Sequence, residues 1–244
     1  MLKKEIEAIA PLLAERGLQP SQGTGLVRWN GTLRGRTAEV FLVPVGRTRY
    51  VGDVRLRQQI GSRLEVALST TLAVKSVLVP DATARRVWMR QLWRWKSMHV
   101  LTAMPTGLSG MRLVAHDAAW GQRLLADPPA LAALLSLREV AATAGSGTVC
   151  FVPGRVSQLS PVLADVADLP QRVDAALTGL DALASAAEAL PPPATPATTG
   201  PFVRWFSANP LAGVLVGFVV VLGVFAVLGL LMLLLFLGAY SVLT

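Results

Sequence analysis

The sequence predicts an α+β fold: a mainly antiparallel sheet packed with helices, followed by a Pro-rich linker and a single C-terminal transmembrane helix. Three observations predict it. Residues 24–79 read as a meander of strands, with clear period-two alternation of apolar and polar side chains over Tyr50–Arg57 and Arg63–Ser69, as half-buried strands show. Helical periodicity brackets those strands instead of alternating with them, which separates α+β from a doubly wound α/β sheet. Finally, residues 211–238 form an apolar run without one charged side chain. The chain divides accordingly into an α+β domain over 1–190, a linker and interfacial collar over 191–209, and a membrane helix over 210–240.

Taken in order, Leu2, Ile6, Ile9 and Leu13 fall on one face of a first helix, with Pro11 expected to kink or shorten it and Gly17 to stop it. Glu5 and Glu7 interrupt any hydrophobic core of a signal peptide in this segment. A strand meander follows. Turn Arg34–Gly35 separates GLVRWNGTL from RTAEVFLVPV, and Gly46 and Gly61 mark further breaks before RTRYVGDVRLR and SRLEVALST. Arg47, Arg49, Arg55, Arg57 and Arg63 are expected mainly on the polar face of this sheet.

Residues 82–97, ATARRVWMRQLWRWKS, read as a helix. Helical spacing groups Trp88, Leu92 and Trp95 and leaves Trp93 off that face, while Arg85, Arg86, Arg90, Arg94 and Lys96 crowd the rest. Next come a strand near 111–115, Asp117 as a helix cap, a short helix carrying Trp120, and another after Pro128–Pro129. Residues 139–152 look like a hairpin around Gly145–Gly147. A long amphipathic helix over 170–190 starts at Asp168 and Pro170, weakened by about 1 kcal/mol at Gly179 relative to alanine.

The linker, PPPATPATTGP over 191–201, favours extended chain and reaches up to about 30 Å. Asn209 and Pro210 suit a helix start. Phe202, Arg204 and Trp205 form a collar for the headgroup region, and Tyr240 a counterpart on the far side. The apolar run is about 42 Å long as a helix, against a hydrocarbon core of about 30 Å, so tilt is expected. Gly213 and Gly217 form one GxxxG, a route to helix–helix packing and hence to an oligomer. This reads as a tail-anchored, single-pass chain with its N-terminus in the cytoplasm and its domain on the cytoplasmic membrane face.

The formal charge is +8, and it is uneven. Residues 28–96 hold fourteen Lys and Arg against four acids, whereas residues 97–204 hold six against eight. A basic field of this kind meets anionic lipid, an acidic protein or nucleic acid, or is simply a solvated sheet face. Tryptophan among arginines suits membrane interfaces, protein hot spots and nucleic-acid stacking. The plainer reading packs the tryptophans on the sheet and lets the arginines snorkel.

His99 and His116 stand outside any zinc spacing, and no Walker loop, GxGxxG or GxSxG elbow occurs. TAGSGTV over 143–149 is glycine-rich, lacks lysine and reads as a turn. Cys150 is the only cysteine, which excludes an intrachain disulfide. The pattern implies no catalytic residue, no metal and no cofactor. It points to a membrane-anchored, non-enzymatic adaptor or accessory subunit. Its partner- or lipid-binding residues are Arg85, Arg86, Trp88, Arg90, Trp93, Arg94, Trp95 and Lys96. The bilayer and a protein are the expected partners, with nucleic acid less favoured. The alternatives are a membrane-tethered enzyme and a nucleic-acid-binding module.

Overall fold

Arg34 and Gly35 both take positive φ, 48° and 83°. That is the two-residue geometry whose twist matches antiparallel strands, and it brings Leu33 opposite Arg36. The hairpin so fixed joins two neighbouring strands of one sheet in the computed structural model of this chain. The structure describes residues 2–22, 27–51, 54–86, 97–142, 148–163 and 167–197. Residues Met1–Ala197 form one compact unit, α+β as the sequence predicts.

In chain order the elements are α1 (Leu2–Glu15), β1 (Leu18–Gln22), β2 (Val27–Leu33), β3 (Arg36–Val51), β4 (Val54–Ser69), β5 (Ser76–Pro80), α2 (Asp81–Ala84), β6 (His99–Leu101), β7 (Met111–Ala115), α3 (Ala118–Ala126), α4 (Pro128–Ala142), β8 (Thr148–Val152), β9 (Arg155–Leu163) and α5 (Leu169–Ala189). The described strands make one sheet in the order β1-β2-β3-β4-β9-β8-β5-β7-β6, and every neighbouring pair is antiparallel. The first four strands lie side by side as they come. β9 then enters between β4 and β8 and joins the two halves.

One face of the sheet carries the main core. Trp29, Val40, Leu42, Leu64, Val66, Leu68, Val156, Phe151, Leu78 and Leu113 are buried there at alternate strand positions. Ile9 and Leu13 of α1, Trp120 and Leu124 of α3, and the apolar stripes of α4 and α5 cover them. Trp120 meets Phe151 edge to face, with ring centroids 5.6 Å apart. Gly179 of α5 is buried, and a Cβ there would come within 2.8 Å of Leu137 Cδ2. The glycine that weakens α5 locally therefore lets α4 and α5 approach closely.

Several expectations change. α1 continues through Pro11 to Glu15, because Pro11 faces solvent and water can take the carbonyl it leaves unbonded. Gly46 and Gly61 do not break strands. They flank an irregularity in one long hairpin, where Val45 pairs with Gly61 and Gly46 with Gln59. Residues 139–142 belong to α4, so the expected hairpin over 139–152 is absent among the described residues. The real one turns at Pro153–Gly154, with Gly154 at φ 82°, and pairs β8 with β9, a strand the sequence pattern had not revealed. The transmembrane helix expected over 210–240 lies outside the described residues. Among the described residues no helix is long and apolar enough to cross a membrane.

Candidate functional site

The Trp/Arg segment can be judged only at its two ends. α2 begins at Asp81, whose N–H donates to the Gly110 carbonyl at 2.8 Å. The Asp81 carboxylate receives Arg85 at 2.6 Å and Arg112 at 2.7 Å. The Arg85 and then the Arg112 hydrogen bonds hold that carboxyl below its ordinary range. Arg85 is thus engaged locally, while Arg86 is exposed. Ala84 packs with Val79 and Val114 on the sheet face opposite the main core, and Met98 joins the same cluster. Both ends of the segment therefore rest on this second face. Trp88, Arg90, Trp93, Arg94, Trp95 and Lys96 lie outside the described residues, as do Phe202, Arg204, Trp205, Gly213, Gly217 and Tyr240.

Across β2, β3, β4 and β9, the same outer face holds a ladder of alternating charge. Arg28 pairs with Glu39, Arg155 with Glu39 at 3.0 Å, and Arg155 with Glu65 at 3.1 Å. The guanidinium groups of Arg28 and Arg155 lie 5.1 and 5.6 Å from the centre of the Phe41 ring. Beside the ladder is a shallow depression of about 160 Å³ bordered by Thr37, Glu39, Ala67, Ser69 and Arg155, below the roughly 300–1,000 Å³ usual for small-molecule sites. At one end of the sheet Arg36 binds Glu188 with two nitrogens, at 2.9 and 2.6 Å, and reaches Asp181 at 3.3 Å. Arg16 pairs with Asp174 of the same helix. This part of the sheet is therefore balanced in charge.

The charge imbalance lies elsewhere. β2 stops pairing with β3 at Leu42, and β9 stops pairing with β4 at Ser62. Beyond those points β3 and β4 pair only with each other among the described strands, through Val51 and Val54. At about 3.3 Å per residue this two-stranded ribbon extends roughly 20 Å past its neighbours. It carries Arg47, Arg49, Arg55 and Arg57, with Asp53 as the one acid between Gly46 and Ile60. Pairing sets Arg47 opposite Gln58 and Arg49 opposite Leu56, and Arg57 opposite Thr48 and Arg55 opposite Tyr50.

A third feature involves residues 191–197, the start of the Pro-rich segment. The Ala194 N–H donates to Asp117 at 2.9 Å, the Ala197 N–H to the Ala73 carbonyl at 2.6 Å, and His116 Nε2 to the Thr195 carbonyl at 2.8 Å. His116 Nδ1 lies within reach of both the Lys75 N–H, at 3.1 Å, and the Lys75 carbonyl, at 3.2 Å, and the Thr195 carbonyl calls for a proton on Nε2. Asp117 does two tasks at once. It caps α3 by accepting the Trp120 N–H at 2.9 Å, and that bond, more than the one from Ala194, keeps its carboxyl below the ordinary range. These seven residues form a strap along the domain, with Pro193 and Ala197 buried. The sequence placed Asp117 at a helix cap, which the structure bears out, but gave no sign of the strap.

No protein-family model matches the chain, and no curated protein matches it in sequence. A search of solved structures finds the crystal structure of the mycobacterial trehalose monomycolate transport factor A. The match covers 79% of this chain and 97% of that one, at 11% identity and a TM-score of 0.47. At that score the likeness carries no argument about function.

Proposed function

We propose that the protein is a membrane-anchored, non-enzymatic adaptor or accessory subunit, with its α+β domain held at the cytoplasmic face. One observation carries this reading: the uncharged apolar run over 211–238, preceded by an aromatic and arginine collar at Phe202, Arg204 and Trp205. Each charged side chain placed at the centre of such a helix costs about 2.5–3.5 kcal/mol, and this run avoids them entirely. Arg204 flanks the run on the domain side, which favours a cytoplasmic domain. The Trp/Arg segment over 85–96 supplies a basic, aromatic surface for anionic lipid or an acidic partner.

The test is topological and biochemical. The protein should stay in the pellet after alkaline carbonate extraction of membranes. Protease added to sealed inside-out vesicles should release the domain. Extraction into the supernatant overturns the anchor, and protection in those vesicles overturns the orientation.

A further inference from the structure

We propose that residues 191–197 are a releasable latch, which gives the chain beyond the domain two working lengths. The proposal rests on the membrane-anchor reading for its use, because the latch then sets how much chain lies between the domain and its anchor. The latch has a fixed hinge. α5 ends at Ala189, and Leu190 leaves it extended, at φ −73° and ψ 151°. Glu188 is held by Arg36 and Thr71, and Leu190 packs against the main core. The chain is therefore secured as far as Leu190.

The next seven residues are held in another way. Hydrogen bonds fasten them at Ala194, Thr195 and Ala197, in each case through a main-chain atom of the strap. The partners lie in two connections of the sheet: Ala73 between β4 and β5, and His116 and Asp117 between β7 and α3. Pro191, Pro192, Ala194, Thr195 and Pro196 are exposed. Ala197 is 8% exposed, yet it belongs to neither apolar cluster of the described residues. A segment held by peripheral hydrogen bonds, with little apolar surface behind it, opens locally far below the cost of global unfolding. Proline occupies four of its seven positions. That keeps a released strap extended and limits the entropy it gains, so the latch can close again. Asp117 divides its carboxylate between two elements: Oδ1 caps α3 and Oδ2 holds Ala194. With the latch closed, residues 198–209 separate the domain from Pro210, and with it open residues 191–209 do. At about 3.1 Å per residue, release adds roughly 20 Å of usable chain. A pull along the chain favours the open state because that state is the longer one.

The test uses the full chain in neutral detergent at one pH, with residue-resolved amide exchange. The Ala194 and Ala197 amides should exchange together, and at least about tenfold faster than the amides of the central strand β4. Asp117→Asn keeps an oxygen for the α3 cap but loses the acceptor for the Ala194 N–H. It should speed exchange about tenfold at Ala197 as well as at Ala194, although Ala197 bonds to Ala73, and should leave the Trp120 amide protected. Ala194→Pro removes the same bond from the strap side, at an exposed position, and should act alike. Thr195→Val should change nothing, since only the main-chain carbonyl of that residue is used. Spin labels at Gln122→Cys and Ala208→Cys, in a Cys150→Ser chain, should move to longer distances in both release variants. Unchanged exchange at Ala197 in both variants overturns the strap as one unit. Strap amides as slow as those of β4 overturn its release, and unchanged distances overturn the two lengths. All of these are read without a bilayer, whereas carbonate extraction judges the anchor, so the two readings fail separately.

Discussion

Glu188→Gln tests how the last helix is locked to the sheet. Glu188 receives two nitrogens of Arg36 and both the N–H and the hydroxyl of Thr71, at 2.7 and 3.1 Å. Chiefly through the Arg36 hydrogen bond, its carboxyl is pulled from the ordinary 4.5 down to about 2. At about 1.4 kcal/mol per pH unit, that depression corresponds to roughly 3 kcal/mol. Arg36 and Glu188 are 18% and 19% exposed, so solvent screens part of this, and about 2 kcal/mol is the working figure. The sign follows from linkage. Between the two values the unfolded chain binds a proton that the native carboxyl refuses, so stability is full above about pH 5 and is lost as pH falls toward 2. Urea unfolding of the chain ending at Ala197 should show Glu188→Gln less stable by about 2 kcal/mol near pH 7. The gap should close as pH approaches 2, because the parent then loses the same charge. A gap that stays constant over that range, or none at neutral pH, would refute the reasoning.

Other expectations are checked as directly. Gly179→Ala gains helix propensity but drives a methyl into Leu137, so it should destabilise by about 1–3 kcal/mol, with partial recovery in combination with Leu137→Ala. Trp120→Ala removes a fully buried ring and its edge contact with Phe151, at a cost of about 3–5 kcal/mol in the same unfolding assay. Asp117→Ala should cost about 1 kcal/mol as a lost cap and should also speed hydrogen exchange at the Ala194 amide, which a cap alone would leave unmoved. Burial raises the Cys150 thiol above its ordinary value, so the native protein should react slowly with a disulfide reagent and the urea-unfolded chain quickly.

Local chemistry made some elements legible and hid others. Period-two alternation in Leu64, Val66 and Leu68, the Arg34–Gly35 turn, and the Asp117 cap each act over a few residues, and each is where the sequence put it. β9 escaped notice because Arg155–Leu163 includes Ser157, Gln158, Ser160 and Pro161, and its strand character comes from neighbours on both sides. Gly46 and Gly61 resembled stops, yet the pairing of β3 with β4 absorbs them at an irregular step. On the functional side, composition located the basic half of the chain but could not tell engaged arginines from displayed ones. Arg28, Arg36 and Arg155 are neutralised by acids from 11 to 152 residues away in sequence, while Arg63 and Arg86 are exposed. The strap is invisible for the same reason, since Thr195 and Ala197 find their partners some 80 to 120 residues upstream.

The central place of β9 sets a schedule for synthesis. The first four strands, complete at Ser69, leave β4 as a raw edge, and the β5–β8 group leaves β8 as another. Both edges remain open on the nascent chain until residues 155–163 leave the ribosome, and α5, which roofs the junction, comes later still. A chain that stops before Arg155 lacks the strand that pairs with both β4 and β8.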